Sequence, residues 1–256
     1  MSAIDTMYAE SAQALFCAIA DIAGEQKTKK ILNIDLYPSY SEFKRSNKKI
    51  IDEAYNFVDT PGATLKGIEE FLQRPSDKNK WYRSSTLIAL KLMKELDTFM
   101  SNFGYKKFNK FQKPKINNLV YKRGDDTIMG RIEELFRIAN NNKSYWSSLG
   151  QVAFGDVNKW SPADMYFASV SGQKSAEKVI EREISKANKN PDAYNIDELN
   201  TMMDGLINSG DLFPLSLKKA PKEVKLQAVN FTDKIKAEIL RNVVYKDAYG
   251  IERKGR

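Results

Sequence analysis

The chain has 256 residues, of which 42% are hydrophobic and 29% charged, with a formal net charge of +8 and no histidine. That composition belongs to a globular protein, and no apolar run approaches the roughly 18 residues of a membrane span. Lacking imidazole, the chain cannot build Ser-His-Asp or Cys-His hydrolase sites, HEXXH metalloprotease sites or His-ligated metal centres. A single cysteine, Cys17, rules out an internal disulfide framework and multi-cysteine zinc modules. The chemistry left is that of carboxylates, lysines, hydroxyls and backbone, with Mg²⁺ or Mn²⁺ as the natural metal partner.

The first residues carry no basic segment followed by an apolar one, so no secretion signal is expected. Residues 2–23 read as an amphipathic helix with Ile4, Met7, Tyr8, Leu15, Phe16, Ile19 and Ile22 on its apolar stripe and Gly24 as its stop. Cys17 lies beside that stripe and reads as a small core residue. A second helix is expected from an N-cap at Ser41 to about Val58, broken by Asp59-Thr-Pro-Gly62. That tetrapeptide matches the DxxG of GTPases, but no GxxxxGK[ST] loop precedes it, so it reads as a turn. Helices near 63–73 and 82–100 follow, the latter burying Leu87, Leu90, Met93, Leu96 and Met100. The first 104 residues are thus expected to form a helical region.

Residues 105–123 read as a basic connector. Within it, Tyr105, Phe108 and Phe111 alternate with Lys106, Lys107, Lys110, Lys113 and Lys115. Aromatic rings among ammonium groups suit a nucleic-acid strand, the rings stacking on bases and the lysines holding phosphates. They equally suit a connector with buried rings and solvated lysines. Residues 78–123 carry a net charge of +10 and residues 218–256 a net +6, flanking residues 124–217 at net −5. Lys219, Lys222 and Lys225 belong to the second basic block. DNA is the expected partner of such blocks, through counterion release.

From residue 124 to the end an αβ region is expected. Gly124-Asp-Asp126 caps a helix burying Ile128, Ile132, Leu135, Phe136 and Ala139, which ends in the polar run Asn140–Ser144. Pro162 cannot sit inside a central strand, so a strand begins after it, over Ala163–Val170. Helices near 174–188 and 196–208 follow, the second stopped by Gly210. A second strand is expected over Asp211–Lys219, and a long helix over about 222–244. Period-2 alternation puts Asp164, Tyr166 and Ala168 on one face of the first strand. It puts Leu212, Pro214, Ser216 and Lys218 on one face of the second, opposite Phe213, Leu215 and Leu217. A carboxylate and an ammonium in a sheet are costly unless they face a site or each other. Alone, Asp164 also reads as a turn residue, Lys218 as an exposed strand end, and Glu133 and Glu134 as a solvated helix face.

The order acidic helix, strand with Asp, strand with x-x-Lys, helix resembles the PD-(D/E)XK nuclease superfamily. Ser161-Pro-Ala-Asp164 resembles its Asp motif and Ser216-Leu-Lys218 its E-x-K motif. The stretches KWSPADMYFAS and LNTMMDGLINSGDLFPLSLKKA are similar to nuclease-like proteins of tailed bacteriophages. The resemblance covers about residues 125–230 and implies a restriction-endonuclease-like core with a mixed sheet. It implies Asp164 as principal Mg²⁺ (or Mn²⁺) ligand and Lys218 as the group that orients or deprotonates the attacking water. Glu133 or Glu134 would be an additional acid, with Glu134 and Asp156 as candidate further ligands. Gln227 or Asn230 would be accessory polar contacts. The chain departs from the pattern at Ser216, which stands where the family's second acid is usual. Two roles follow from the resemblance: Mg²⁺-dependent hydrolysis of DNA, or a silent DNA-binding component of a virion or packaging apparatus. Other phage proteins are the further expected partners, and the host cytoplasm or the virion the expected location. A helical nucleic-acid-binding protein unrelated to nucleases is the third alternative.

Overall fold

The computed structural model describes residues 3–59, 62–75, 80–102, 120–122, 128–142, 148, 160, 163–190, 194, 196–216 and 223–226. Helix α1 spans Ala3–Ile31, α2 Tyr40–Tyr55, α3 Leu65–Leu72 and α4 Trp81–Asn102. Strand β1 spans Val58–Asp59 and β2 Val120–Lys122. Helix α5 spans Ile128–Ala139 and runs into a 3₁₀ turn at Asn140–Asn142. Strand β3 is Met165–Ala168, α6 is Val170–Lys189, α7 is Asp197–Asn208 and β4 is Leu212–Leu215. No helix among the described residues is long and apolar enough to cross a membrane.

Helix α1 is not the one-faced helix its apolar stripe suggests. Every residue from Ser11 to Ala20 is buried, while Ile4 is exposed. Helices α2, α3 and α4 and strand β1 all pack on it. Ala9, Ala12, Ala14, Ala18 and Ala20 explain how: small side chains let neighbours approach on the faces that the bulky residues leave. Gly24 breaks the helix without ending it. Its backbone (φ 69°, ψ 169°) lies in a region that is essentially glycine's alone, and the helix resumes to Ile31. The Thr28 hydroxyl lies 2.6 Å from the Gly24 carbonyl and 3.0 Å from that of Ala20, so it occupies acceptors at the break.

The cap of α2 is Ser39 rather than Ser41. Its hydroxyl accepts the Glu42 N–H, and the Glu42 carboxylate accepts the Ser39 N–H at 3.0 Å, a reciprocal capping box. Helix α4 turns a different face inward from the one expected. Leu87, Leu90 and Met93 are half-buried, whereas Trp81, Ser84, Ser85, Ile88, Ala89 and Leu92 are buried with Leu96. The small residues Ser84, Ser85 and Ala89 again permit close packing on α1. The side chain of Met100 lies outside the described set.

The sheet has the order β1-β2-β3-β4. β1 pairs parallel to β2, and the other two pairings are antiparallel. Among the described residues the N-terminal region is helical except for β1, whose Val58 was expected to close the second helix and whose Asp59 was expected to open a turn; α2 instead ends at Tyr55. β2 falls inside the stretch read as a connector. Between β3 and β4, Tyr166 lies opposite Pro214, Phe167 opposite Phe213 and Ala168 opposite Leu212. The expected alternation holds. Phe167 and Phe213 join the core built by α1–α4, with ring centroids 6.3 Å apart. Tyr166, Ala168 and Leu212 join a second core with Ile128, Ile132, Leu135, Ala176, Ile180 and Leu199 from α5, α6 and α7. The sheet is thus a middle layer between two helical layers. Burying each phenylalanine contributes about 1.5–3 kcal/mol.

β4 is an edge strand with a proline in it. Ser169 and Asp211 stand opposite and share the bond Ser169 N–H to Asp211 C=O, 2.9 Å. Hydrogen-bonded pairs then alternate, so the Tyr166–Pro214 pair is a non-bonded one. The N–H that Pro214 lacks would have faced outward, so the proline removes no ladder bond and blunts the edge. Ser169 also caps α6, its hydroxyl accepting the Gly172 N–H at 2.9 Å and donating to Asp211 Oδ1 at 2.7 Å. Gly210 (φ 74°) makes the turn from α7 into β4, as expected. Residues 223–226 carry no helix, contrary to the helix expected from 222. Val224 and Leu226 instead rest on the first core, and the remainder of that expected helix lies outside the described residues.

The Ser169–Asp211 junction sets a steric limit. A Cβ on Gly172 would sit 2.2 Å from the Asp211 carbonyl oxygen, a backbone atom that cannot step aside. A Cβ on Gly67 would meet the ring end of Tyr8 at 2.7 Å, and a side chain can rotate away. Gly172→Ala is therefore expected to lower stability by about 3 kcal/mol and Gly67→Ala by clearly less, as thermal or denaturant melts of the two variants will show.

Candidate functional site

The two strands expected to carry the chemistry are neighbours. At the end of the pair where β3 begins and β4 finishes, Asp164 and Ser216 meet: the Ser216 hydroxyl donates to Asp164 Oδ2 at 3.0 Å. Asp164 is half-buried and Ser216 exposed, so the carboxylate is reachable from solvent. The backbone contributes a second hold. The Asp164 N–H donates to the Leu215 carbonyl at 2.9 Å, yet the register partner of Leu215 is Met165. Two consecutive residues, 164 and 165, thus face one residue of β4, the arrangement of a β-bulge. Simple alternation along the strand does not foresee this step.

The other expected site residues divide into those described and those not. Glu133 is exposed on α5. Glu134 accepts a hydrogen bond from Arg131 at 2.6 Å, and Arg131 also pairs with Glu181 of α6. The pair ties α5 to α6, and as a half-exposed ion pair it contributes on the order of 1 kcal/mol at most. Among the described residues no three of Cys, Asp and Glu gather closely enough to hold a metal ion. Lys225 is exposed, 4.0 Å from Glu223. Lys218, Asp156, Lys219, Lys222, Gln227, Asn230 and the aromatic–lysine patch Tyr105–Lys115 lie outside the described residues.

Two polar clusters were not singled out from sequence. At the far end of the β3–β4 pair, Asp211 accepts from both Ser169 and Ser209, each at 2.7 Å. This cluster joins the start of α6 to the end of α7. On α6, Glu183 is wholly buried. Its Oε1 lies 3.2 Å from Arg182 Nε and 3.3 Å from Lys186 Nζ, and its Oε2 has no hydrogen-bond partner among the described residues. Lys186 reaches on to Glu198 of α7, and the carboxyl of Glu198 is held below its ordinary range chiefly by that hydrogen bond. A sequence signal for Glu183 did exist. It follows Ile180 by three positions and precedes Ala187 by four, which puts a carboxylate on the buried stripe of α6.

Cys17 is the one thiol and is fully buried. Burial, the largest cause, pushes it up to about 12, against the lowering effect of a hydrogen bond from the Gln13 amide. It is therefore neutral and inert as a nucleophile in the folded chain. In the unfolded chain the thiol ionises near its ordinary 9.0, while the folded chain holds the proton to about 12. The unfolded state then binds fewer protons, so stability falls as pH rises across that window. Burial also pushes the phenols of Tyr40, Tyr82 and Tyr194 upward, which extends the decline above pH 10. Denaturant titrations from pH 8 to 11 should show this decline starting later in Cys17→Ala, and a thiol reagent should label the native protein only on unfolding.

Comparison with known protein families, with characterised proteins and with solved structures finds no match to this chain.

Proposed function

We propose that this is a phage-type, PD-(D/E)XK-like protein that hydrolyses DNA phosphodiesters with Mg²⁺ or Mn²⁺ at the margin of β3 and β4. One observation carries the reading: Asp164 and Ser216, from motifs 52 positions apart in the chain, are in hydrogen-bond contact at a solvent-reachable sheet end. Lys218 follows Ser216 by two positions. The Asp164 carboxylate, half-buried at this end, is an oxygen ligand of the kind a hard divalent ion takes. Mg²⁺ is commonly held by one or two carboxylates together with substrate phosphates. When bound, such an ion polarises a phosphoryl oxygen and acidifies water, chemistry that needs no histidine. Asp164 is the residue that would hold it. Lys218 would orient the attacking water and offset charge growing on the phosphate, while the two basic blocks hold the DNA backbone.

A second reading is a DNA-binding virion or packaging protein that does not cleave. It is favoured by the neutral Ser216 beside Asp164 and by the engagement of Glu134 with Arg131, which leave Asp164 as the one carboxylate seen at that sheet end among the described residues.

Incubation of plasmid and linear DNA with the purified chain in Mg²⁺ or Mn²⁺ tests both. Cleavage is expected, with Asp164→Asn and Lys218→Ala each lowering the rate by about 10²–10⁴-fold while DNA retardation persists. Retardation without cleavage in either ion supports the second reading. Undiminished cleavage by both variants overturns the site assignment.

A further inference from the structure

We infer that Ser216 is a positioning residue that holds the Asp164 carboxylate in the orientation used for a divalent cation, an inference that rests on reading Asp164 as the ion-holding group. Two consecutive residues of β4 grip Asp164 at two points. The Leu215 carbonyl takes its backbone N–H at 2.9 Å, and the Ser216 hydroxyl donates to its carboxylate at 3.0 Å. The bulge at residues 164–165 takes Asp164 out of the regular strand register. A hydrogen bond from the neighbouring strand narrows the orientations open to the half-exposed carboxylate, and a preoriented carboxylate loses less conformational freedom when an ion binds. A neutral donor also brings no positive charge that would repel the ion, as a lysine in the same place would. Hydroxyl donors to metal-binding carboxylates act in this way, orienting the ligand without contacting the ion.

The role makes the hydroxyl, rather than the bulk of the side chain, the feature that matters. Thr and Val at position 216 have nearly the same shape and differ in the hydroxyl. Mn²⁺ alone is the probe, titrated into the full chain and read by its electron paramagnetic resonance signal, so no turnover is needed. Ser216→Thr is expected to bind Mn²⁺ like the parent protein. Ser216→Ala and Ser216→Val are expected to bind about tenfold more weakly, at the low end for outer-shell partners because the site is exposed. Ser216 lies at the surface, so the melting midpoints of all three should stay close to the parent's. If Ala disturbs folding, the Thr–Val pair carries the comparison.

Asp164→Asn separates the inference from the reading beneath it. Loss of Mn²⁺ binding in Asp164→Asn, with undiminished binding in Ser216→Ala and Ser216→Val, overturns the positioning role and leaves Asp164 as the ligand. Equal Mn²⁺ binding by the parent and Asp164→Asn overturns both.

Discussion

Phe167 stands opposite Phe213, and that pairing holds the rest of the molecule in place. The side-chain period of a strand is two, so a slip of one residue would turn both rings from the α1–α4 core to the other side. The same slip would drive Tyr166 and Ala168 out of the α5–α7 core. Because the sheet is buried on both faces, the cost of slipping is paid twice. The register that buries the two rings is also the one that brings Asp164 to Leu215 and Ser216 at one end and Ser169 to Asp211 at the other. Core packing and the geometry of the candidate site are therefore one constraint.

The two ends of the β3–β4 pair differ in character. At the Ser169–Asp211 end the groups satisfy one another: Asp211 receives two serine hydroxyls, Ser169 caps α6, and the backbone approaches Gly172 too closely for any side chain. This end is a structural joint. At the Asp164–Ser216 end the ladder is interrupted by a bulge, and the polar groups are open to solvent. Bulges at sheet margins re-aim side chains, and here the re-aimed side chain is the carboxylate that the sequence motif singles out.

The interior is more polar than an ordinary helical core. Gln13, Thr28, Ser84, Ser85 and Thr86 are fully buried in the first layer, and Glu183 in the second. Gln13 reaches Cys17 and the Ser85 carbonyl, and Thr28 and Thr86 bond back to carbonyls of their own helices. Small polar residues that bond to their own helix can be buried with little penalty, and they let helices approach as alanine does. Glu183 differs: its charge is compensated by Arg182 and Lys186, whose outer ends remain in water. Removing either cation would leave a buried charge partly unmatched, which is far costlier than the loss of a surface pair.

Much of the helical layer and the core strands was legible in the residues. The stripe of α5 (Ile128, Ile132, Leu135, Phe136, Ala139) is buried as its spacing requires, and the alternation Phe213/Leu215 against Leu212/Pro214 matches the two faces of β4. Gly210 ends α7 because it adopts a positive φ, a local property. Absence of histidine limited the chemistry outright. Other features are not local. β1 is two residues long, too short for any period to reveal, and exists because β2 runs beside it. The middle of α1, Ser11–Ala20, is buried on all sides where four elements converge on the helix, and periodicity reports one preferred face, not the number of neighbours. The inward face of α4 combines Trp81, Ile88, Leu92 and Leu96 with the small Ser84, Ser85 and Ala89, a set that the spacing of Leu87, Leu90 and Met93 does not single out. The sequence alone determined which residue types and periods were present, and so the helices, the two core strands and the oxygen-and-lysine chemistry open to the chain. Only the tertiary structure decided that Asp164 would meet Ser216, because that contact depends on a register between distant segments, and register is set by burial on both faces of a sheet.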